Sequence, residues 1–364
     1  MQVIDADAHV EESVATWQYL DPALHARRPL PVTLPTDTSF GDFNAVWIVD
    51  NKLRQSAANP TSMQAAHKKG VAIGAQELTD VPARLADLDR FGIAEQVVYP
   101  SAWIGCLADD PELEGALATS YNRFLAERCG QAGGRLWYAA VVPYRRPEAA
   151  VEELRRAREQ GAAVGVFTRG MEWDMPLSHP SFYPIYAEAE RQNLAIAVHV
   201  GFGSPTISRL FDGLPRYRPG ELPFIPPRGR GLVSGLLVQF AFSAVMEAGL
   251  PAEFPGLRWV FLEIGAEWLV GALGRLSPPA RAVAQRCLDN GTLFVSGEPD
   301  EDLVYLVQRC GEDVLVGASD YPHADDFRHD PIHESFSRAG HLSDRLVEKI
   351  LCHNPRRLYA LERG

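Results

Sequence analysis

Cysteine is sparse in this chain, and the five present are scattered: Cys106, Cys129, Cys287, Cys310 and Cys352 are odd in number and form no CxxC pair. That excludes a disulfide framework and a thiolate zinc knuckle, and it predicts buried thiols in a reducing compartment. Long apolar runs are absent, and none reaches the roughly 20 residues needed to span a bilayer. The first residues show no basic n-region and no cleavable apolar stretch, so a cytoplasmic location is expected. Positive charge is in deficit: 35 Lys and Arg face 47 Asp and Glu, and the net charge of -12 disfavours general nucleic-acid binding. No Gly-rich phosphate fingerprint follows the first apolar segment, which weakens a doubly wound dinucleotide-binding sheet.

What is present reads as one globular enzyme-sized body. A hydrophobic content of 46% with 23% charged residues suffices for a sizeable core. Length alone would suggest two domains at 364 residues, but a β/α barrel with insertions also fits as one. Short, nearly continuous apolar runs at 3–10, 94–101, 136–144, 162–168, 194–201, 257–265, 292–298 and 314–320 read as buried parallel strands. Amphipathic stretches at 81–91, 111–129, 148–160, 182–192, 236–248, 266–275, 301–310 and 344–351 read as the helices between them. Eight strands in βα alternation predict an α/β fold, a (β/α)8 TIM barrel.

Two connections are too long for ordinary βα loops. Residues 11–80, after the first strand, carry Trp17, Tyr19, Phe40, Phe43 and Trp47, and are expected to build a small cap. Residues 201–235, after the fifth strand, carry Arg209, Arg216, Arg218, Arg228 and Arg230 against only Asp212 and Glu221. A basic loop in an acidic chain suits phosphate binding, although a solvated loop or an oligomer contact explains it equally well.

The chemistry concentrates at strand ends. Asp5, Asp7 and His9 alternate in the first strand and share one face, with Ile4, Ala6, Ala8 and Val10 on the other. Buried carboxylates are costly unless they are paired or bind metal, and O and N donors of this kind suit a divalent ion. The active-site end of such a barrel is the C-terminal end of its strands. There the chain places Asp7, His9 and Glu12 from strand one, His199 from strand five, Glu263 from strand six, Glu298 from strand seven, and Asp320 and His323 from strand eight. One histidine on an apolar strand is usually a core residue; donors recurring at one end of several strands are not. Glu298 and Glu12 also suit capping roles, and His67 reads as an exposed residue of the insertion.

This set resembles the amidohydrolase superfamily, in particular the amidohydrolase-2 group that includes aminocarboxymuconate semialdehyde decarboxylase. The marks are Asp5-Ala-Asp7-Ala-His9-Val-Glu-Glu12, His199, the segment from Phe254 through Glu263 to Trp268, Ser319-Asp320-Tyr-Pro-His323, and Asn354-Pro-Arg-Arg-Leu-Tyr359. The resemblance implies a barrel with metal held by His9, His199 and Asp320. Two departures stand out. Glu263 occupies a strand-six position where relatives often carry histidine, and strand four ends in Thr168-Arg169 with no lysine to bridge two metals.

The donor surplus of Asp7, His9, Glu12, His199, Glu263, Asp320 and His323 is more than one zinc needs. It looks like the branch of the family that uses non-haem diiron, of the platensimycin and platencin hydroxylase type. On that reading two iron ions activate dioxygen, and Glu263, Asp320 and His323 act in catalysis. The five loop arginines then hold a CoA-linked substrate, while cap aromatics hold its apolar part. The alternative is a hydrolase or non-oxidative decarboxylase with one Zn or Mn. Either way the expected partner is a small molecule, in a homo-oligomer such as a dimer, with no membrane or nucleic acid.

Overall fold

The computed structural model describes residues 1–33, 45–54, 70–209, 227–323, 331–338 and 342–361. Eight parallel strands form its centre: β1 (Val3–Val10), β2 (Ile93–Pro100), β3 (Leu136–Ala140), β4 (Ala163–Arg169), β5 (Ala195–His199), β6 (Trp259–Phe261), β7 (Leu293–Ser296) and β8 (Leu315–Val316). They pair in chain order from β1 to β8. The seam between β8 and β1 is bridged by Ala6 N donating to Gly317 O (3.1 Å) and Asp320 N donating to Asp7 O (3.1 Å). The result is a nearly closed TIM barrel. Every residue of β1 is buried, including Asp5, Asp7 and His9. A strand covered by helices outside and facing the barrel interior inside has no solvated face, so its polar side chains must find partners within.

The strands are shorter at their C-terminal ends than the apolar runs suggest. Glu263 (φ +63°) and Asp320 (φ +53°) adopt left-handed backbone, which cannot continue a strand. β6 ends at Phe261 and β8 at Val316, before these positions, so both acids sit in the loops beyond the strands. A further helix, Pro278–Asn290, was not expected from the sequence. Its two leading prolines occupy the first turn, where no backbone N–H partner is needed. The helix after β5 begins at Pro227 rather than at 236.

Within the first long connection lies a three-stranded antiparallel sheet, Leu30–Thr33, Ala45–Val49 and Lys52–Arg54. Lys52 and Arg54 of the sheet pair with Asp109 in the loop after β2, and Arg27, just before the sheet, pairs with both Asp110 of that loop and Asp50 of the sheet's hairpin. Trp17 and Trp47 are buried in the hydrophobic core, which leaves them unable to hold the apolar part of a substrate as expected above. Phe40, Phe43 and His67 lie outside the described residues. At the other end of the chain Tyr359 enters the barrel, donating to Ala6 O (2.7 Å) and meeting the Tyr99 hydroxyl at 2.6 Å. Asn354 donates to Leu315 O (2.8 Å) and Glu312 O (2.9 Å), which anchors the terminal helix under β8. Among the described residues no helix is long and apolar enough to cross a membrane.

Candidate metal centre

Two groups of donors converge at the C-terminal end of the barrel: Asp7, His9, His199 and Glu263, and His9, Asp320 and His323, each with ligand atoms within 4.8 Å of one another. His9 belongs to both. Its Nε2 lies 3.2 Å from His199 Nε2, 3.6 Å from Asp7 Oδ1 and 3.3 Å from Asp320 Oδ1. His199 Nε2 lies 3.0 Å from Glu263 Oε2 and 3.4 Å from Asp7 Oδ2. His323 Nδ1 meets Asp320 Oδ1 at 2.9 Å, and its Nε2 meets Ser101 Oγ at 2.9 Å.

The tautomers decide what the cluster can hold. His9 Nδ1 faces Pro100 O at 3.2 Å and His199 Nδ1 faces Val200 O at 2.8 Å. A carbonyl oxygen only accepts, so each Nδ1 carries the proton. In the neutral rings both Nε2 atoms then present lone pairs to each other, a repulsive arrangement unless a cation joins them. Both oxygens of the buried Asp7 carboxylate and Oε2 of Glu263 lack a hydrogen-bond partner. Leaving such groups unsatisfied costs about 1–3 kcal/mol each, more when charged. The donor set therefore fits a divalent metal held by Asp7, His9, His199 and Glu263, with Asp320 and His323 beside it. The backbone carbonyls on Nδ1 are the kind of outer partner that fixes a ligating imidazole.

Without a metal, the carboxylates of the cluster draw protons to the imidazoles instead. Burial alone would lower the His199 pKa, but Asp7 and Glu263 override it and raise it well above its ordinary value. Burial and the neighbouring His323 and His199 drive His9 well below its own. Burial opposes protonation of His323, yet Asp320 and Glu11 lift it to about 10. The carboxylates thus favour positive charge on His199 and His323, while His9 stays neutral.

Not all predicted residues join. Glu12 accepts from Ser101 N (3.2 Å) and Ala102 N (2.7 Å) through Oε2, and it falls in neither donor group. It braces the loop after β2, and its burial lifts the carboxyl to about 8. Asp5 lies on the same strand face but accepts from Gln96 and Ser319 instead of joining the donors. Arg169, at the end of β4, is buried and bonded to Glu172, Trp103 O and Gly105 O, so it ties loops together. The side chains of Arg209, Arg216, Arg218, Arg228 and Arg230 lie outside what the structure describes. Sequence reasoning missed Glu11, 3.6 Å from His323, and Ser101. Glu11 had a weak signal, being acidic and directly beyond β1.

A family model described as Amidohydrolase matches residues 4–361. The chain belongs to the amidohydrolase-2 family. Among curated proteins it is 28% identical over 238 residues to a gamma-resorcylate decarboxylase from Rhodococcus jostii RHA1, covering 58% of this chain and 68% of that one. The fold matches an amidohydrolase from Mycobacterium avium subsp. paratuberculosis K-10 with a TM-score of 0.76 and 19% identity, over 100% of this chain and 99% of that one. It also matches a dihydroxybenzoic acid decarboxylase from Polaromonas sp. JS666, solved with bound manganese and the inhibitor 2-nitroresorcinol. That match has a TM-score of 0.60 and 19% identity, and covers 77% and 86% of the two chains.

Proposed function

We propose that this amidohydrolase-2 protein is a metal-dependent, non-oxidative decarboxylase of a small hydroxylated aromatic acid. The observation that carries the reading is the pair of imidazole Nε2 atoms 3.2 Å apart beside the unpartnered Asp7 carboxylate. It is supported by relatives that decarboxylate gamma-resorcylate and dihydroxybenzoate. This was the alternative of the sequence reading, and the relatives favour it over the oxygenase.

A divalent ion bound by Asp7, His9, His199 and Glu263 would supply Lewis acidity that orients and neutralises a carboxylate with its adjacent hydroxyl. The protein's own groups supply the proton. When the ring–carboxylate bond breaks, its electron pair stays on the ring carbon, CO2 leaves, and that carbon takes a proton. Glu263, Asp320 and His323 are the donors with solvent-reaching side chains, at 21%, 12% and 14% exposure, whereas His9, His199 and Asp7 are sealed. His323 Nδ1 and Asp320 Oδ1 share a proton at 2.9 Å, and that pair delivers it. Ser101 Oγ, 2.9 Å from Nε2, orients the far side of the His323 imidazole.

The test is anaerobic incubation of Mn2+-loaded protein with a panel of ortho-hydroxybenzoates in D2O. CO2 release with one deuterium placed on the ring supports the reading; no release with any member overturns it. A second reading, the diiron monooxygenase acting on a CoA-linked substrate, is favoured by Glu263 in place of histidine and by the second donor group around His323. It requires oxygen uptake with iron-loaded protein, which the first reading excludes.

A further inference from the structure

We infer that Gln96, with Arg84 and Asp5 on either side, is a positioning residue that holds the metal-binding backbone in register. The inference rests on the metal centre proposed above and not on the reaction assigned to it.

Gln96 lies on β2 and is fully buried. Its Oε1 accepts from Arg84 Nε (2.8 Å), and its Nε2 donates to Asp5 Oδ2 (2.7 Å). The amide is thus used by polarity: its acceptor end meets a cation and its donor end meets a carboxylate. Asp5 in turn accepts from Ser319 N (2.9 Å) and Ser319 Oγ (2.5 Å), directly before Asp320. Arg84 Nη2 donates to the backbone carbonyl of His9 (3.0 Å), and its guanidinium stacks 4.0 Å from the Tyr321 ring centroid, directly after Asp320. Tyr321 N donates to Ser319 Oγ (3.1 Å), and Tyr321 O accepts from His9 N, so the two arms close on each other. One chain of contacts therefore grips both neighbours of Asp320, which is held at φ +53°, together with both backbone polar groups of His9.

Arg84 explains itself only this way. It is fully buried, and its remaining bond goes to Ala75 O (3.2 Å). It sits on the apolar stripe of helix Val81–Arg90 between Val81 and Leu88, where an aliphatic residue would pack without cost. A buried guanidinium whose hydrogen bonds go to carbonyl oxygens is an expensive stability element. Its return is the fixed geometry of the seam between β1 and β8. Partners that orient metal ligands typically change affinity 10- to 100-fold.

The experiment measures Mn2+ affinity by calorimetry and folding by circular dichroism and thermal melting. Gln96→Met keeps the size and removes both bonds, leaving Arg84 Nε unpartnered. Arg84→Met/Gln96→Met removes the stranded charge as well. Positioning predicts that the double variant recovers melting temperature relative to Gln96→Met while both bind Mn2+ at least about tenfold more weakly than wild type. Ser319→Ala, which keeps the Ser319 N bond to Asp5, serves if the others fail to fold, and should weaken Mn2+ binding several-fold with little change in melting. Folded variants that bind Mn2+ within twofold of wild type overturn the inference. If wild type itself takes up no Mn2+, the metal centre fails, and this inference with it.

Discussion

At the residue scale the metal centre depends on His199, whose Nε2 meets His9, Asp7 and Glu263. His199→Ala should fold, because it removes a buried polar ring and leaves the apolar packing of β5 in place. It should lose Mn2+ affinity by more than about 100-fold, beyond what orienting partners produce. Calorimetry checks this, and retention of near-native affinity would remove His199 from the centre. The donors that converge were legible because strand alternation and strand ends are sequence properties: Asp7 and His9 are two apart, and His199, Glu263, Asp320 and His323 close or follow apolar runs. Glu12 takes the capping role that its sequence position also allows, accepting from the amides of Ser101 and Ala102. Gln96 was not legible at all, since its partners lie 12 and 91 residues away. Arg84 leaves a trace in the sequence, a cation inside an otherwise apolar helical stripe.

At the element scale, helix Val81–Arg90 carries Arg84 and starts at Asp80, whose side chain accepts from Ala83 N at 3.0 Å. Asp80→Ala should cost about 1 kcal/mol of stability in urea titrations, as N-cap deletions do. A change below a few tenths would mean that packing alone sets this terminus. Helix and strand order followed from apolar periodicity and from Ser, Asp and Pro at helix starts. Ends were harder. The apolar runs of β6 and β8 continue past the true strands, whose pairing stops at Phe261 and Val316, into half-buried loop residues that include Glu263 and Ser319. The helix Pro278–Asn290 begins on prolines that are compatible with a first turn, and no expectation covered it.

At the scale of the whole molecule, the barrel was legible from eight βα alternations, because each strand and helix reports its own burial. The first insertion was not: Trp17 and Trp47 look like candidates for a binding surface until tertiary contacts put them in the core. Stability of the assembled barrel should depend on pH through the outer helices. Burial opposes ionisation of Glu188, but hydrogen bonds from Arg191, Arg155 and Gln192 outweigh it and hold the carboxyl down to about 2 from 4.5. A lowered carboxyl pKa adds stability that is present above the unfolded value and is lost as pH falls through the folded one. Between about pH 4.5 and 2, wild type should therefore lose melting temperature more steeply than Glu188→Gln, which starts lower at neutral pH. Parallel curves would show that the cluster contributes nothing.

The most direct test of the central claim is the metal content of natively purified protein by elemental mass spectrometry, run beside His199→Ala. The donor geometry predicts a divalent transition metal in stoichiometric amount in the wild type and its loss in the variant. A wild-type chain that is purified without metal, and takes none up on dialysis against Mn2+, would contradict it.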